Sequence, residues 1–333
     1  MSAKKRTRYI VGVDLGGTNL VGAAISEDGS KTHAFRSTMT RADQGADAVV
    51  DRMVGMIDTI IAETIAETGA KRSDFAGVGV GAPGPLDREQ GVVITTPNLG
   101  WTNFPLRNVI SERVGLEATL DNDANCATLG EWWLGAARGG RNVVGMTIGT
   151  GIGGGLILDG QLYHGAADVA GEIGHTTIDI TGRRCKCGNY GCLEAYASGP
   201  SIAERAREAL GGDDDSLLFQ LVGGQLDRLT AAIVYEAARK GDELALDVVR
   251  ETARFLGAGI ANLLNIFNPD VVVIAGGVTQ AGDPLFEPLR KEVRKRAFRP
   301  AVESCRIVPG SLPGTAGIVG AAATFKQQAM GGI

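Results

Sequence analysis

The sequence predicts an α/β protein built from two related domains. Runs rich in β-branched residues that end in glycine turns alternate with amphipathic helical stretches, the pattern of α/β sheets. Residues 144–160 (VGMTIGTGIGGGLILDG) repeat the plan of residues 11–29 (VGVDLGGTNLVGAAISEDG) at an offset of about 133. Both read strand, Gly/Thr turn, Gly-bearing strand, Asp-Gly turn. A repeat that spans half a chain marks duplicated domains, not a solenoid of short units. The 333 residues suffice for two substantial cores.

Taken in order, Tyr9–Leu15 predicts a first strand with Asp14 at its end, facing the turn Gly16-Gly17-Thr18-Asn19. The run LVGAAI follows, closed by Asp28-Gly29 as a hairpin-type turn. Apolar residues from Val49 to Ile65 recur at helical spacing, which predicts a helix over 46–68 stopped by Gly69. Strands are predicted at Phe75–Gly81, Val92–Ile94 and Ala118–Leu120, and helices over 104–113 and 124–137. After the repeated hairpin, helices are predicted over 201–210, 230–239 and 243–267, with a loop at 211–215. A buried-type strand, Val271–Ala275, leads into Gly276-Gly277, and the basic stretch 290–299 reads as a solvated helical face. A last strand is expected at Ile307-Val308, and the small residues of 314–327 predict a close-packed final helix.

Composition excludes several classes. The formal net charge is -5, which gives no case for a nucleic-acid partner. Hydrophobic residues make up 44%, as in soluble globular chains, and no apolar run approaches the roughly 20 residues of a membrane span. The opening MSAKKRTRY is basic, but the apolar stretch after it is cut by Asp14, so it reads as a solvated arm and not a secretory signal. The expected setting is the cytoplasm, with thiols reduced. Forty-nine glycines point to many tight turns or to close approaches of the backbone to a ligand.

The densest chemistry lies at 175–194, HTTIDITGRRCKCGNYGCLE. His175, Cys185, Cys187 and Cys192 form a complete tetrahedral set for a structural zinc, with no position left open for catalysis. The alternative is a cysteine-rich loop that is reduced or disulfide-bonded. Glu172 and Glu194 flank the set, either as solvated support or as grips for a hydroxyl-rich ligand beside the stiffened loop. Gly149–Gly154 fits G-x-G-x-x-G, but a strand follows where a dinucleotide fingerprint needs a helix, and no Gly-Lys-Ser or Gly-Lys-Thr occurs. The two Gly/Thr turns instead offer concave backbone N–H groups for phosphate oxygens; the plainer reading is two β-turns. Gly276-Gly277 brings backbone near a flat ring such as adenine, or else packs a strand tightly on a helix. Asp123 stands just ahead of a helix, where it can cap the helix or act as a base.

These residues resemble the ROK (repressor, open reading frame, kinase) family of sugar kinases and sugar-responsive regulators. The resemblance runs through DLGGTN at 14–19, GAPGP at 81–85, PNLGW at 97–101, DNDAN at 121–125 and GTGIGGG at 149–155. It continues through GEIGH at 171–175, CKCGNYGCLE at 185–194 and AGG at 275–277. It implies a duplicated actin-like (ribonuclease H-like) sugar-kinase fold, two α/β domains around a cleft. The expected division is 1–121 with the C-terminal helix 315–333, and 122–314 with the zinc loop. It implies transfer of the ATP γ-phosphoryl group to a sugar hydroxyl, most like bacterial glucokinases, with Asp123 as base. Asn98, Asn122, Asp123, Glu172, His175 and Glu194 match positions that bind the sugar. Asp14 matches a carboxylate near Mg2+, and Gly16, Gly17, Thr18, Asn19, Thr150 and Gly151 match the phosphate turns. Gly276 and Gly277 match the adenosine side. The resemblance also implies a homodimer or a dimer of dimers. It leaves other readings: a kinase for N-acetylmannosamine, N-acetylglucosamine, fructose or allose, polyphosphate as donor, a non-catalytic switch, or a repressor. The repressors carry a DNA-binding segment ahead of the DxGGT turn, for which the residues before Asp14 leave no room.

Overall fold

The computed structural model describes residues 7–96, 98–211 and 215–332. Residues 1–6 of the basic arm, Pro97 of PNLGW, and 212–214 of the loop expected at 211–215 lie outside them. No described helix is long and apolar enough to cross a membrane.

The chain opens with β1 (Tyr9–Leu15), β2 (Asn19–Ser26), β3 (Thr32–Met39), α1 (Ala46–Thr68) and β4 (Phe75–Ala82). A small sheet follows from β5 (Leu86–Asp87), β6 (Val92–Thr96) and β7 (Trp101–Phe104). Then come α2 (Leu106–Val114), β8 (Ala118–Asn122) and α3 (Asp123–Trp133). The repeated hairpin is β9 (Val143–Ile148) and β10 (Ile152–Leu158), with a short β11 (Gln161–Leu162). Helices α4 (Glu194–Ala197), α5 (Gly199–Leu210), α6 (Leu217–Leu221), α7 (Ala231–Arg239) and α8 (Glu243–Phe267) precede β12 (Val271–Ala275). After α9 (Asp283–Arg296), α10 (Arg299–Ser304) and β13 (Arg306–Pro309), the chain ends on α11 (Ala316–Met330).

The duplication is visible in the sheets. One has the order β3-β2-β1-β4-β8, the other β11-β10-β9-β12-β13. In each, an antiparallel hairpin is joined by two parallel strands on the far side of its first strand. The chain divides into two compact units. The first comprises residues up to Gly139, Leu162–Ala170 and Leu312 onward; the second comprises Gly140–Gln161 and Gly171–Ser311. The expected division at residue 121 differs from this one, because α3 packs along α11 and so stays with the first unit.

In the first unit, β1 alternates. Val11, Val13 and Leu15 join the core formed with α1 and α2, while Ile10 packs with Phe325 of α11. On the α11 side the sheet is lined by glycine. A Cβ on Gly12 would stand 2.0 Å from the carbonyl oxygen of Ile318, and one on Gly79 would stand 1.8 Å from that of Ala321. The alternate glycines of FAGVGVG therefore let a helix lie directly on the strands. The same holds where the helices cross: a Cβ on Gly320 of α11 would stand 1.5 Å from the carbonyl oxygen of Cys126 in α3. In the second unit, Val144, Met146, Ile148, Val272 and Ile274 of the sheet pack with α5, α7, α8 and α9. Helix α8 is capped by Asp242, whose side chain accepts the Ala245 N–H, and it stops at Asn268 in the left-handed region before Pro269.

Strand β3, THAFRSTM, is missing from the expectations above. It lies at the sheet edge with most residues exposed, so it lacks the buried alternation by which strands are read. The helix expected over 124–137 ends at Trp133, and the one expected over 104–113 starts at Leu106 after β7.

Replacing Gly320 by Ala is expected to destabilise the protein by about 3 kcal/mol, the upper end for overpacking, because backbone must move. The control is Gly55→Ala on the exposed face of α1, where a Cβ meets nothing within 4 Å. There helix propensity predicts a gain of up to about 1 kcal/mol. Chemical unfolding of the two variants checks both signs.

Candidate active site and metal centre

In the first unit the candidate residues gather at the ends of β1 and β8. Asn122, not Asp123, caps α3: its Oδ1 accepts the N–H of Ala124 at 2.9 Å and of Asn125 at 3.2 Å. The cap expected for Asp123 thus belongs to its neighbour, and Asp123 occupies the first helical turn. Its Oδ1 accepts the Ala124 N–H at 2.8 Å. A carboxylate there is favoured by the helix dipole. Oδ1 of Asn122 is thus committed to the cap.

Asp14 is only partly exposed, and its carboxylate lies under the start of α11. A Cβ on Gly317 would stand 2.2 Å from Oδ2. Burial, and then the charge of Asp123, push the Asp14 pKa up to about 7. A cation between the two carboxylates would relieve that repulsion, so Asp14 and Asp123 are the residues here that could hold one. The turn between β1 and β2 is closed by the Gly16 N–H donating to the Asn19 carbonyl at 2.9 Å. It is braced by the Thr40 hydroxyl donating to the Gly16 carbonyl at 2.6 Å. Gly17, Thr18 and Asn19 are exposed. Asn98 is exposed as well and packs on the turn: a Cβ on Gly17 would stand 3.1 Å from the Asn98 Cβ.

In the second unit, His175, Cys185, Cys187 and Cys192 offer donor atoms that all lie within 4.8 Å of one another. Cys187 and Cys192 sulfurs are 3.7 Å apart, and Cys185 Sγ is 3.8 Å from His175 Nδ1. A tetrahedron with metal–sulfur bonds of about 2.3 Å has sulfur–sulfur edges of about 3.8 Å. The set therefore fits a four-coordinate zinc. The loop is folded by Cys185 N–H donating to the Asn189 carbonyl at 2.8 Å, and Gly188 and Gly191 take positive φ. Burial pushes the Cys192 thiol up to about 12 and raises that of Cys185, while the Asn189 N–H lowers that of Cys187. Two thiols that resist ionising beside a third need a cation to become ligands together.

Glu194, two residues past Cys192, ties this loop to the second Gly/Thr turn. Its Oε2 accepts the Ile152 N–H at 2.7 Å, and a Cβ on Gly151 would stand 2.6 Å from the same oxygen. Glu172 is exposed and His175 is half-buried, on a short 3-10 turn at Ile173–His175.

The second unit also holds a cavity of about 630 Å3. Thr150 and Gly277 line it, as does a wall that the sequence did not signal: Pro200, Arg207, Leu229, Ala232 and Tyr235. Nothing in LTAA at 229–232 carries a recognisable chemistry, so only the fold brings it to the cavity. Gly276 is packed against the Ile148 carbonyl, where a Cβ would stand 2.3 Å from the oxygen, so no larger residue fits there. A polar hollow of about 330 Å3 shares Thr150 and Glu204 with this cavity and is rimmed by Arg184 and Lys186.

The ROK family model matches residues 10–328. A glucokinase of Thermotoga maritima is 38% identical over 321 residues, 96% of this chain and 98% of that protein. A xylose repressor of Caldicellulosiruptor bescii is 30% identical, covering 96% of this chain and 78% of that protein. The crystal structure of a ROK family glucokinase from Streptomyces griseus, in complex with glucose and AMPPNP, is similar with a TM-score of 0.82. It is 34% identical, over 96% of this chain and 99% of that one.

Two outcomes test the site. Protein purified without added metal is expected to carry stoichiometric zinc, and Cys187→Ser to lose it to a chelator the unaltered protein resists. Elemental analysis of the two reads this directly, and full retention by the variant would remove Cys187 from the set. A carboxyl with a raised folded pKa holds its proton more tightly when folded, so stability falls as pH rises from the ordinary value of 3.8 to about 7. The melting temperature of Mg2+-free protein should fall over that window, and Asp14→Asn should flatten the fall. An unchanged slope in the variant would assign the pH dependence elsewhere.

Proposed function

We propose, on the premise that this chain belongs to the ROK family, that it is an ATP-dependent glucokinase forming glucose 6-phosphate. The observation that carries the reading is the carboxylate pair of the first unit. Asp123 stands in the first turn of α3, which Asn122 caps, with the Asp14 carboxyl close enough to be raised by its charge. Phosphoryl transfer requires little covalent chemistry from a protein and much positioning and charge stabilisation. Asp123 is the base that takes the proton of the sugar 6-hydroxyl as that oxygen attacks phosphorus in line. Asp14 would hold Mg2+, which shields charge between phosphate oxygens and fixes their geometry.

Sugar hydroxyls are assigned to Asn98, Asn122, Glu172, His175 and Glu194. His175 faces Cys185 through Nδ1, so Nε2 is left to meet the sugar, and a zinc at Nδ1 would fix that tautomer and its direction. Glu194 gives Oε2 to the Ile152 N–H and keeps its second oxygen for a hydroxyl. Both Gly/Thr turns receive phosphate oxygens, and the 630 Å3 cavity beside Thr150 and Gly277 receives adenosine. The reading includes a cytoplasmic protein acting as a homodimer or homotetramer. Support for glucose over other hexoses comes from similarity to proteins named glucokinases, one of them solved with glucose and AMPPNP.

The similarity to a xylose repressor favours one second reading, a sugar-responsive regulator that binds sugar without turning it over. An ADP-release assay with ATP and Mg2+ across glucose, mannose, fructose, N-acetylglucosamine and N-acetylmannosamine separates the two. Turnover is expected, with glucose preferred. Asp123→Asn is expected to lose about 10²–10⁴-fold in turnover while still binding glucose and nucleotide. Preference for an acetylated sugar would keep the mechanism and change the substrate. Sugar binding without turnover would establish the regulator.

A further inference from the structure

Asp121 has no exposed surface, yet it carries a carboxylate. Burying such a group is costly unless its lone pairs are met. Here they are. Oδ1 accepts the N–H of Asn122 at 2.8 Å and Nδ2 of Asn125 at 3.1 Å. Oδ2 accepts Arg88 Nε at 3.1 Å and faces His164 Nε2 at 2.9 Å. Against a carboxylate that ring nitrogen is the one carrying hydrogen. Arg88 reaches on to Asp168: Nη1 lies 3.3 Å from Oδ1, and its backbone N–H donates to Oδ2 at 3.1 Å. Asp168 is held at φ 55°, in the left-handed region that non-glycine residues adopt rarely.

All of these groups belong to the first unit, and they come from three separated segments. Arg88 lies between β5 and β6, in the small sheet whose next connection carries Asn98. Asn122 and Asn125 open α3 on either side of Asp123. His164 and Asp168 lie in the strap Leu162–Ala170, which continues in sequence into Gly171 and Glu172. Each segment therefore bears, or runs into, residues assigned above to the sugar. Apolar side chains would pack the same space without the cost of desolvating charge; directed ion pairs instead hold segments in one register.

We propose that Asp121, Arg88, His164 and Asp168 form a positioning cluster for the sugar. The cluster sets where Asn98, Asn122, Asp123 and the strap before Glu172 stand, and it touches neither sugar nor nucleotide. The inference rests on the sugar-kinase reading. It predicts a selective defect: weakening the cluster harms sugar binding and turnover and leaves nucleotide binding intact.

The test uses His164 and Arg88, whose side chains are 15% and 21% exposed, so their replacement leaves no sealed cavity. His164→Ala and Arg88→Met are each expected to lower kcat/KM for glucose by about tenfold or more, the scale of a hydrogen bond to a charged group. KM for glucose should rise and KM for ATP stay unchanged. Calorimetric affinity for a non-hydrolysable ATP analogue, which needs no turnover, should stay unchanged as well. His164→Gln, which restores an N–H at a similar reach, should recover most of the loss. A parallel fall in nucleotide affinity, failure of Gln to rescue, or unaltered sugar kinetics with only a lower melting temperature would each overturn the proposal. Should the unaltered protein turn over no sugar, the kinase reading fails by itself. Calorimetric glucose affinity of His164→Ala and His164→Gln then decides the cluster, and absence of glucose binding by the unaltered protein overturns it.

Discussion

A side chain at Gly12 or Gly79 would have to stand about 2 Å from a carbonyl oxygen of α11, so the first unit depends on those two positions carrying none. Backbone packed on backbone at this range leaves room only for glycine on the strand and small residues on the helix, and α11 answers with GIVGAAAT at 317–324. The contact fixes the start of α11 over the end of β1. There Asp14, on the same face as Gly12, meets Gly317 where any larger residue would strike its carboxylate. The raised pKa of Asp14 follows from this packing more than from any neighbour, since burial outweighs the charge of Asp123 among its causes. A close-packed helix thus places a poised carboxyl at the mouth of a glycine turn.

The cysteine loop of the second unit is held by more than its four ligands. Tyr196 donates its hydroxyl to Asp179 at 3.0 Å and accepts the Arg183 N–H at 2.8 Å, and a Cβ on Gly182 would stand 1.7 Å from that hydroxyl oxygen. Across the loop the Ile178 N–H donates to the Gly191 carbonyl and the Leu193 N–H to the Thr176 carbonyl. The course of the loop is therefore fixed by its own hydrogen bonds, and a metal would add what these cannot. It would hold three thiolates together against burial and keep the His175 ring in one direction. Glu194 carries that stiffness to Gly151 and Ile152.

Much of this is legible in the sequence. Strand β1 and helices α1 and α8 fall at the residues their patterns predicted, since each is long, periodic and punctuated by Asp, Gly or Asn-Pro. The repeat announced two sheets, and the two sheets share one topology. The clustering of His175, Cys185, Cys187 and Cys192 was readable because the four are close in sequence. What stayed hidden is what sequence distance conceals. Arg88 and His164 lie 33 and 43 residues from Asp121, and neither sits in a motif. The exchange of roles between Asn122 and Asp123 turns on which of two adjacent polar residues takes extended φ/ψ, and both residue types cap well. The edge strand β3 buries too little to show a period.

The two Gly/Thr turns share one place in the topology and differ in what supports them. Each lies between the paired strands of a hairpin, with parallel strands on the far side, so the turns are equivalent in topology. They differ in what is packed beneath. Under the first lies the start of α11, which presses on Asp14, and Asn98, which packs on Gly17. Under the second lies Glu194, which takes the Ile152 N–H and crowds Gly151. The position that is Asp14 in the first copy is Thr147 in the second, so the second turn has no carboxylate of its own and borrows one from the cysteine loop. A buried carboxyl fixed by a helix suits a cation, whereas a carboxylate already bonded to backbone N–H suits the holding of a turn in shape. The turns themselves also differ: four residues separate the pair Leu15 and Leu20 in the first, and three separate Ile148 and Ile152 in the second.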